Sequence, residues 1–144
     1  MSARDSATMA AGERHLQPFR DPDPQDADNI RRVIADDYYG AWFDGDPARM
    51  ARALHPDLAK RGWVAGPDGQ RKIDPDTAGS MDSWTRAGSG RTDDPTERAL
   101  DIRVLEVYGD IATALVHAVP YIEMIQLIRT TDGWRILNVL WQTP

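Results

Sequence analysis

The chain contains no cysteine. Disulfides, thiolate nucleophiles and cysteine-based metal sites are therefore excluded. Histidine is scarce too: His15, His55 and His117 stand far apart with no ligand spacing, so no metal site is expected. There is no Gly-rich phosphate loop, nucleophile elbow or dinucleotide fingerprint, and Gly88-Ser89-Gly90 is too short to count. No cofactor is expected. Positive charge forms no stripe and the net charge is -6, which argues against a nucleic-acid surface. No window approaches the roughly 18 to 20 apolar residues of a membrane span, and the residues after Met1 lack the apolar core of a secretory signal. The expectation is a cytoplasmic protein with no membrane contact.

What the chain does have is enough length, at 144 residues, for one ordinary domain with a core and a small cavity. Residues 1–25 are polar, with Pro18, Pro22 and Pro24 among Asp21, Asp23 and Asp26. They bury too little apolar surface to offset ordering entropy and read as a flexible tail, leaving residues 26–144 as the domain. The alternative is an arm that docks on a partner subunit through Leu16 and Phe19.

Asp26 or Asp28 can cap a helix from about Asn29 to Gly45, on which Ile30, Val33, Ile34, Tyr38, Ala41 and Trp42 follow three-and-four spacing. Asp46-Pro47 starts a second helix, which His55-Pro56 stops. A short strand pair is expected around the Gly66-Pro67-Asp68-Gly69 turn. A third helix follows over about Thr77 to Ala87, with Met81, Trp84 and Thr85 on its buried face. On the next strand, Leu100, Ile102, Val104 and Tyr108 alternate with Leu105 and Val107. Gly109-Asp110 then turns the chain into a strand that carries His117, and Pro120 marks a strand end or bend.

The densest apolar stretch runs from Tyr121 to Trp141 and reads as two long strands joined at Asp132-Gly133. Alternation puts Tyr121, Glu123, Ile125 and Leu127 on one face of the first strand. On the second strand it sets Trp134, Ile136, Asn138 and Leu140 against Arg135, Leu137, Val139 and Trp141. Both faces are apolar, so both need cover. Helices of the same chain cover one, and a second copy on the outer face, making a homodimer, is the expectation for the other.

This order of elements predicts an α+β fold: a conical curved antiparallel sheet, four long strands plus a short strand pair, over three N-terminal helices around a central pocket. The layout resembles the nuclear transport factor 2-like superfamily, with its cystatin-like fold, which includes ketosteroid isomerases and SnoaL-like polyketide cyclases. Four stretches carry a closer likeness to the small bacterial family named "putative lumazine-binding": residues 39–46, 54–61, 104–110 and 133–141. In those relatives an Asp and a His are expected where this chain has Glu123 and Gln126. The Gln removes a titratable group from the pocket.

Two residues are candidates for proton transfer. His55 could shuttle a proton near neutral pH or simply cap the end of its helix. Glu123, among apolar neighbours, could be a desolvated base, as the carboxylate of the isomerase relatives is, or an interface or edge residue paired with Arg103, Arg129 or Arg135. Tyr38, Trp42, Trp63, Trp84 and Trp141 could form an aromatic box for a small apolar or heterocyclic ligand, or could be ordinary core. His117, Gln126 and Asn138 are the remaining polar candidates. Three readings stay open: a small-molecule-binding protein, a cofactor-independent isomerase, dehydratase or cyclase using Glu123 or His55, and a non-catalytic dimerisation module.

Overall fold

Two Asp-Pro pairs start the N-terminal helices. In a computed structural model, which describes residues 14–144, Asp23 caps the first by accepting from the backbone N–H groups of Gln25 and Asp26, with Pro24 at its first turn. The helix thus begins before the positions that Asp26 and Asp28 suggested. Proline fits there because the first-turn N–H needs no helical partner. The part of the expected tail over residues 1–13 lies outside the described residues; within residues 14–23, Leu16 and Phe19 stand exposed.

The first helical run has three parts: α1 (Pro24–Arg32), a π-helical segment (Val33–Tyr39) and α2 (Gly40–Asp44). Gly45, with φ of 66°, ends it. Asp46 then caps α3 (Pro47–Ala53). The chain passes directly into β1 (Leu54–Ala65), turns into β2 (Arg71–Asp76) and forms α4 (Ala78–Arg86) behind a Thr77/Ser80 capping box. β3 (Leu100–Tyr108), β4 (Ile111–Ala118), β5 (Ile122–Thr130) and β6 (Gly133–Gln142) follow as an antiparallel meander.

The six strands form one curved, unclosed sheet in the order β2-β1-β6-β5-β4-β3. β1 joins β6 in parallel, so the short strand pair extends the meander rather than standing apart from it. Helices cover the concave face. There Ile30, Ile34, Ala41 and Ala53 meet Ala114, Val116, Ile125 and Ile136, all fully buried. Among the described residues, no helix is long and apolar enough to cross a membrane.

Two bulges correct the expected alternation. Leu137 is the extra residue where the β5–β6 register shifts, so Trp134 and Ile136 share the inner face with Val139 and Trp141 rather than with Asn138 and Leu140. Leu105 does the same in β3: Val104 and Val107 turn inward and Tyr108 is exposed. An unpaired extra residue reverses the face of everything after it and bends the strand. At the hairpin tip, only Gly133 takes a positive φ.

Candidate functional site

The helices and the inner sheet face enclose a cavity of ≈ 240 Å³. Glu123 forms its floor. The inward phase of β5 buries this carboxylate almost completely. Tyr39 donates to its Oε1 at 2.5 Å, Tyr38 donates to its Oε2 at 3.2 Å, and the Lys60 ammonium lies 3.2 Å from Oε2. Lys60 also donates to the Tyr38 hydroxyl at 2.6 Å. Three donors therefore compensate one buried charge, which is the condition for tolerating an ion pair away from water.

Local geometry explains the convergence of two adjacent tyrosines. A π turn takes more residues than an α turn, so neighbouring side chains diverge less and both can reach one carboxylate. Arg49 braces this segment by donating to the Asp36 carbonyl and pairing with Asp44 at 2.7 Å. Gly40 leaves room for that guanidinium, where a Cβ would collide with it. Burial, followed by the nearby Glu123 charge, pushes the Tyr38 and Tyr39 hydroxyls well above the usual phenol range. Both therefore act as proton donors in hydrogen bonds.

The walls are aromatic. Trp141 lies over β1 at Gly62, where any Cβ would fall within the indole ring. Tyr121 meets Trp141 edge to face at 5.3 Å, and Lys60 sits 5.9 Å from the Trp141 ring. The Trp141 Nε1 is buried and has no hydrogen-bond partner among the described residues. Trp42, Met50 and Met81 complete the walls, and Trp84, Asp74 and Asp76 border the lining on the side of β2 and α4. Asp76 accepts from Ser80 Oγ at 2.7 Å and from Trp84 Nε1 at 3.1 Å.

Residues 25–142 match the family described as "Putative lumazine-binding". The chain belongs to this family. Among curated proteins there is no significant match. Solved structures agree on the fold. A nuclear transport factor 2-like protein of unknown function from Methylobacillus flagellatus KT is 18% identical, with a TM-score of 0.65 over 89% of this chain and 99% of that one. A second such protein, from Silicibacter pomeroyi DSS-3, is 13% identical with a TM-score of 0.64, covering 81% of this chain and 94% of that one. A cystatin-like fold protein from Burkholderia xenovorans LB400 is 15% identical with a TM-score of 0.54, covering 83% and 92%. At these identities the likeness establishes a nuclear transport factor 2-like, cystatin-like α+β fold.

In this family member the cavity brings together Tyr38, Trp42, Trp84, Glu123 and Trp141 from the sequence candidates. Trp84 is half exposed at the rim instead of buried with Met81 and Thr85. The other candidates lie elsewhere. Trp63 points to the outer face, where Arg71 stacks on it at 4.9 Å. Asn138 donates to Gln126 at 3.1 Å across the outer face, and His117 is exposed on the outer face of β4. His55 belongs to β1 and caps no helix end. Its Nδ1 accepts from the Asp57 N–H at 3.0 Å, which places the proton of the neutral ring on Nε2. None of Arg103, Arg129 or Arg135 reaches Glu123: Arg129 pairs with Asp26 and Asp110, and Arg135 donates to the Ala51 and Leu54 carbonyls.

Sequence reasoning missed Lys60, Tyr39, Asp74 and Asp76. A signal for Lys60 was present. If Leu58 of β1 faces the core, then Lys60 and Gly62 must face it too, and a buried lysine requires a carboxylate. Tyr39 carried no such signal, because adjacent helical positions do not normally share a target.

Proposed function

We propose that this protein binds a small flat molecule in the cavity between its helices and sheet, without transforming it. The observation that carries this reading is an aromatic-lined cavity whose floor carboxylate already has a donor on each oxygen. The Glu123 oxygens are taken up by Tyr38, Tyr39 and Lys60, so the carboxylate is poorly placed to abstract a proton from a ligand. His55 does not line the cavity at all. The family description points to lumazine, a flat bicyclic heterocycle, and stacking against Trp42, Trp84 and Trp141 suits such a shape. Titration with lumazine, read by tryptophan fluorescence, is expected to give saturable quenching that Trp84→Ala weakens severalfold. Absence of saturable quenching with lumazine or simple aromatic amines up to their solubility limits would sink the reading.

We infer further that the protein works as a homodimer joined through the outer sheet face. Leu105, Met124, Leu140 and Ile73 are each about half exposed on that face, and among the described residues no helix covers them. Ile73, Met124 and Leu140 share one groove with Trp63 and Ile122, and an exposed apolar surface of this kind is unusual for a monomer. Sedimentation equilibrium at micromolar concentration is expected to give the dimer mass, with Met124→Lys giving the monomer; a wild-type monomer would exclude this assembly.

A further inference from the structure

We propose that the cavity selects a ligand carrying a positive charge, an aromatic or heteroaromatic amine in its ammonium form, with the charge directed to Asp74. The inference rests on the binding reading above and adds the ligand's chemical class. Its basis is the charge inventory of the cavity. Among the described residues, three carboxylates, Asp74, Asp76 and Glu123, line it against one cation, Lys60. Lys60 is committed to Glu123 at 3.2 Å, so the floor is balanced and the remaining two acids are not.

The two differ in their partners. Asp76 takes hydrogen bonds from Ser80 and Trp84, both neutral donors. Asp74 lines the cavity half-buried, and among the described residues its carboxylate has neither a hydrogen-bond donor nor an ion-pair partner. A carboxylate that lines a cavity with no cation of its own is available to pair with a cationic ligand. Nearby basic groups are not positioned to do so. Arg71 lies on Trp63 at the outer face, Arg86 pairs with Asp82 at 3.4 Å, and Lys72 is exposed and does not line the cavity.

The walls favour the same charge. Tyr38, Trp42, Trp84, Tyr121 and Trp141 line the cavity, and the Lys60 ammonium already stands 5.1 Å from the Tyr38 ring and 5.9 Å from the Trp141 ring; aromatic rings attract ammonium groups most strongly once these are desolvated. An anion would meet two uncompensated carboxylates in a confined space. A neutral heterocycle would stack but leave Asp74 as it is.

Three probes of one shape and different charge test this: 2-phenylethylammonium, 2-phenylethanol and phenylacetate, titrated into the full chain and followed through the tryptophan indole N–H resonances. The expected order is cation, alcohol, anion, with the cation about tenfold tighter than the alcohol. Asp74→Asn should bring the amine to within about twofold of the alcohol, and raising the salt should narrow the wild-type gap in the same direction. Alcohol binding as tight as the amine in the wild type would overturn the charge selection and leave the binding reading standing. If no probe moves the indole signals of the cavity at millimolar concentration, the charge inference fails, and lumazine quenching under the same conditions then decides separately whether the binding reading stands.

Discussion

The cavity has two carboxylate sites, and they are built in opposite ways. At the floor, Glu123 is fully buried and held by Lys60 from β1 and by Tyr38 and Tyr39 from the π segment. On the β2 side, the Asp74 carboxylate keeps partial contact with water and has no partner among the described residues. The first arrangement ties β5 to β1 and to the helical run, so it belongs to stability. The second contributes little to folding and is free to meet a ligand. The contrast shows that burial alone does not identify a binding group; a buried charge with a donor on each oxygen and a counter-ion beside it is part of the frame.

The sharpest way to break this contrast is Lys60→Met. It would leave the Glu123 charge buried without its counter-ion, and we expect a loss of about 3–5 kcal/mol in urea unfolding. The double variant Lys60→Met/Glu123→Gln should recover most of that loss, since it removes the charge as well as its partner. Equal instability of single and double variants would show that the pair's electrostatics are not what holds the floor. Next in size is Gly62→Ala, because the new Cβ must displace the Trp141 ring: overpacking of this kind costs about 1–3 kcal/mol, read as a lower urea midpoint. Tyr39→Phe removes one of the two phenolic donors to Glu123 and should cost about 1–3 kcal/mol.

The floor should also respond to alkali. Tyr38, Tyr39 and Tyr121 are all raised above the ordinary phenol value, chiefly by burial and then by Glu123. Above about pH 10 the unfolded chain releases these protons while the folded protein keeps them. Their contribution is therefore complete below that pH and declines as pH rises through it. Thermal melts of wild type should fall across this window, and Tyr38→Phe/Tyr39→Phe should show a shallower decline; identical slopes would separate the tyrosines from the effect. The smallest change belongs to the mouth. Asp74→Asn should alter the melting free energy by no more than about 0.5 kcal/mol, and a larger loss would mean that Asp74 is part of the frame after all.

Much of the fold was legible because it depends on local chemistry. Asp46-Pro47, the Thr77 to Ala87 helix, the bend at Pro120 and the Tyr121–Trp141 hairpin all follow from capping, missing donors and β-branched side chains. Legibility failed where one extra residue changed phase. The Leu137 and Leu105 bulges moved Asn138, Leu140 and Tyr108 to the outer face and brought Trp141 and Val107 inward. Nothing in the composition of either strand marks the insertion, which is decided by the register that the neighbouring strand imposes. The π segment was hidden for a similar reason, since residues 33–39 satisfy ordinary helical spacing.

The sequence by itself determined the α+β order, the caps, the turns and the excess of apolar residues on both sheet faces, since these arise from interactions between residues close along the chain. Only the tertiary structure decided which acid is sealed and which is open. Lys60 and Glu123 are 63 positions apart in the sequence, and their 3.2 Å pairing exists because β1 joins β6 in parallel beside β5. The meaning of each charge in this protein depends on that long-range pairing, because an ionised group is stabilised by whatever lies within a few ångströms of it rather than by its sequence neighbours.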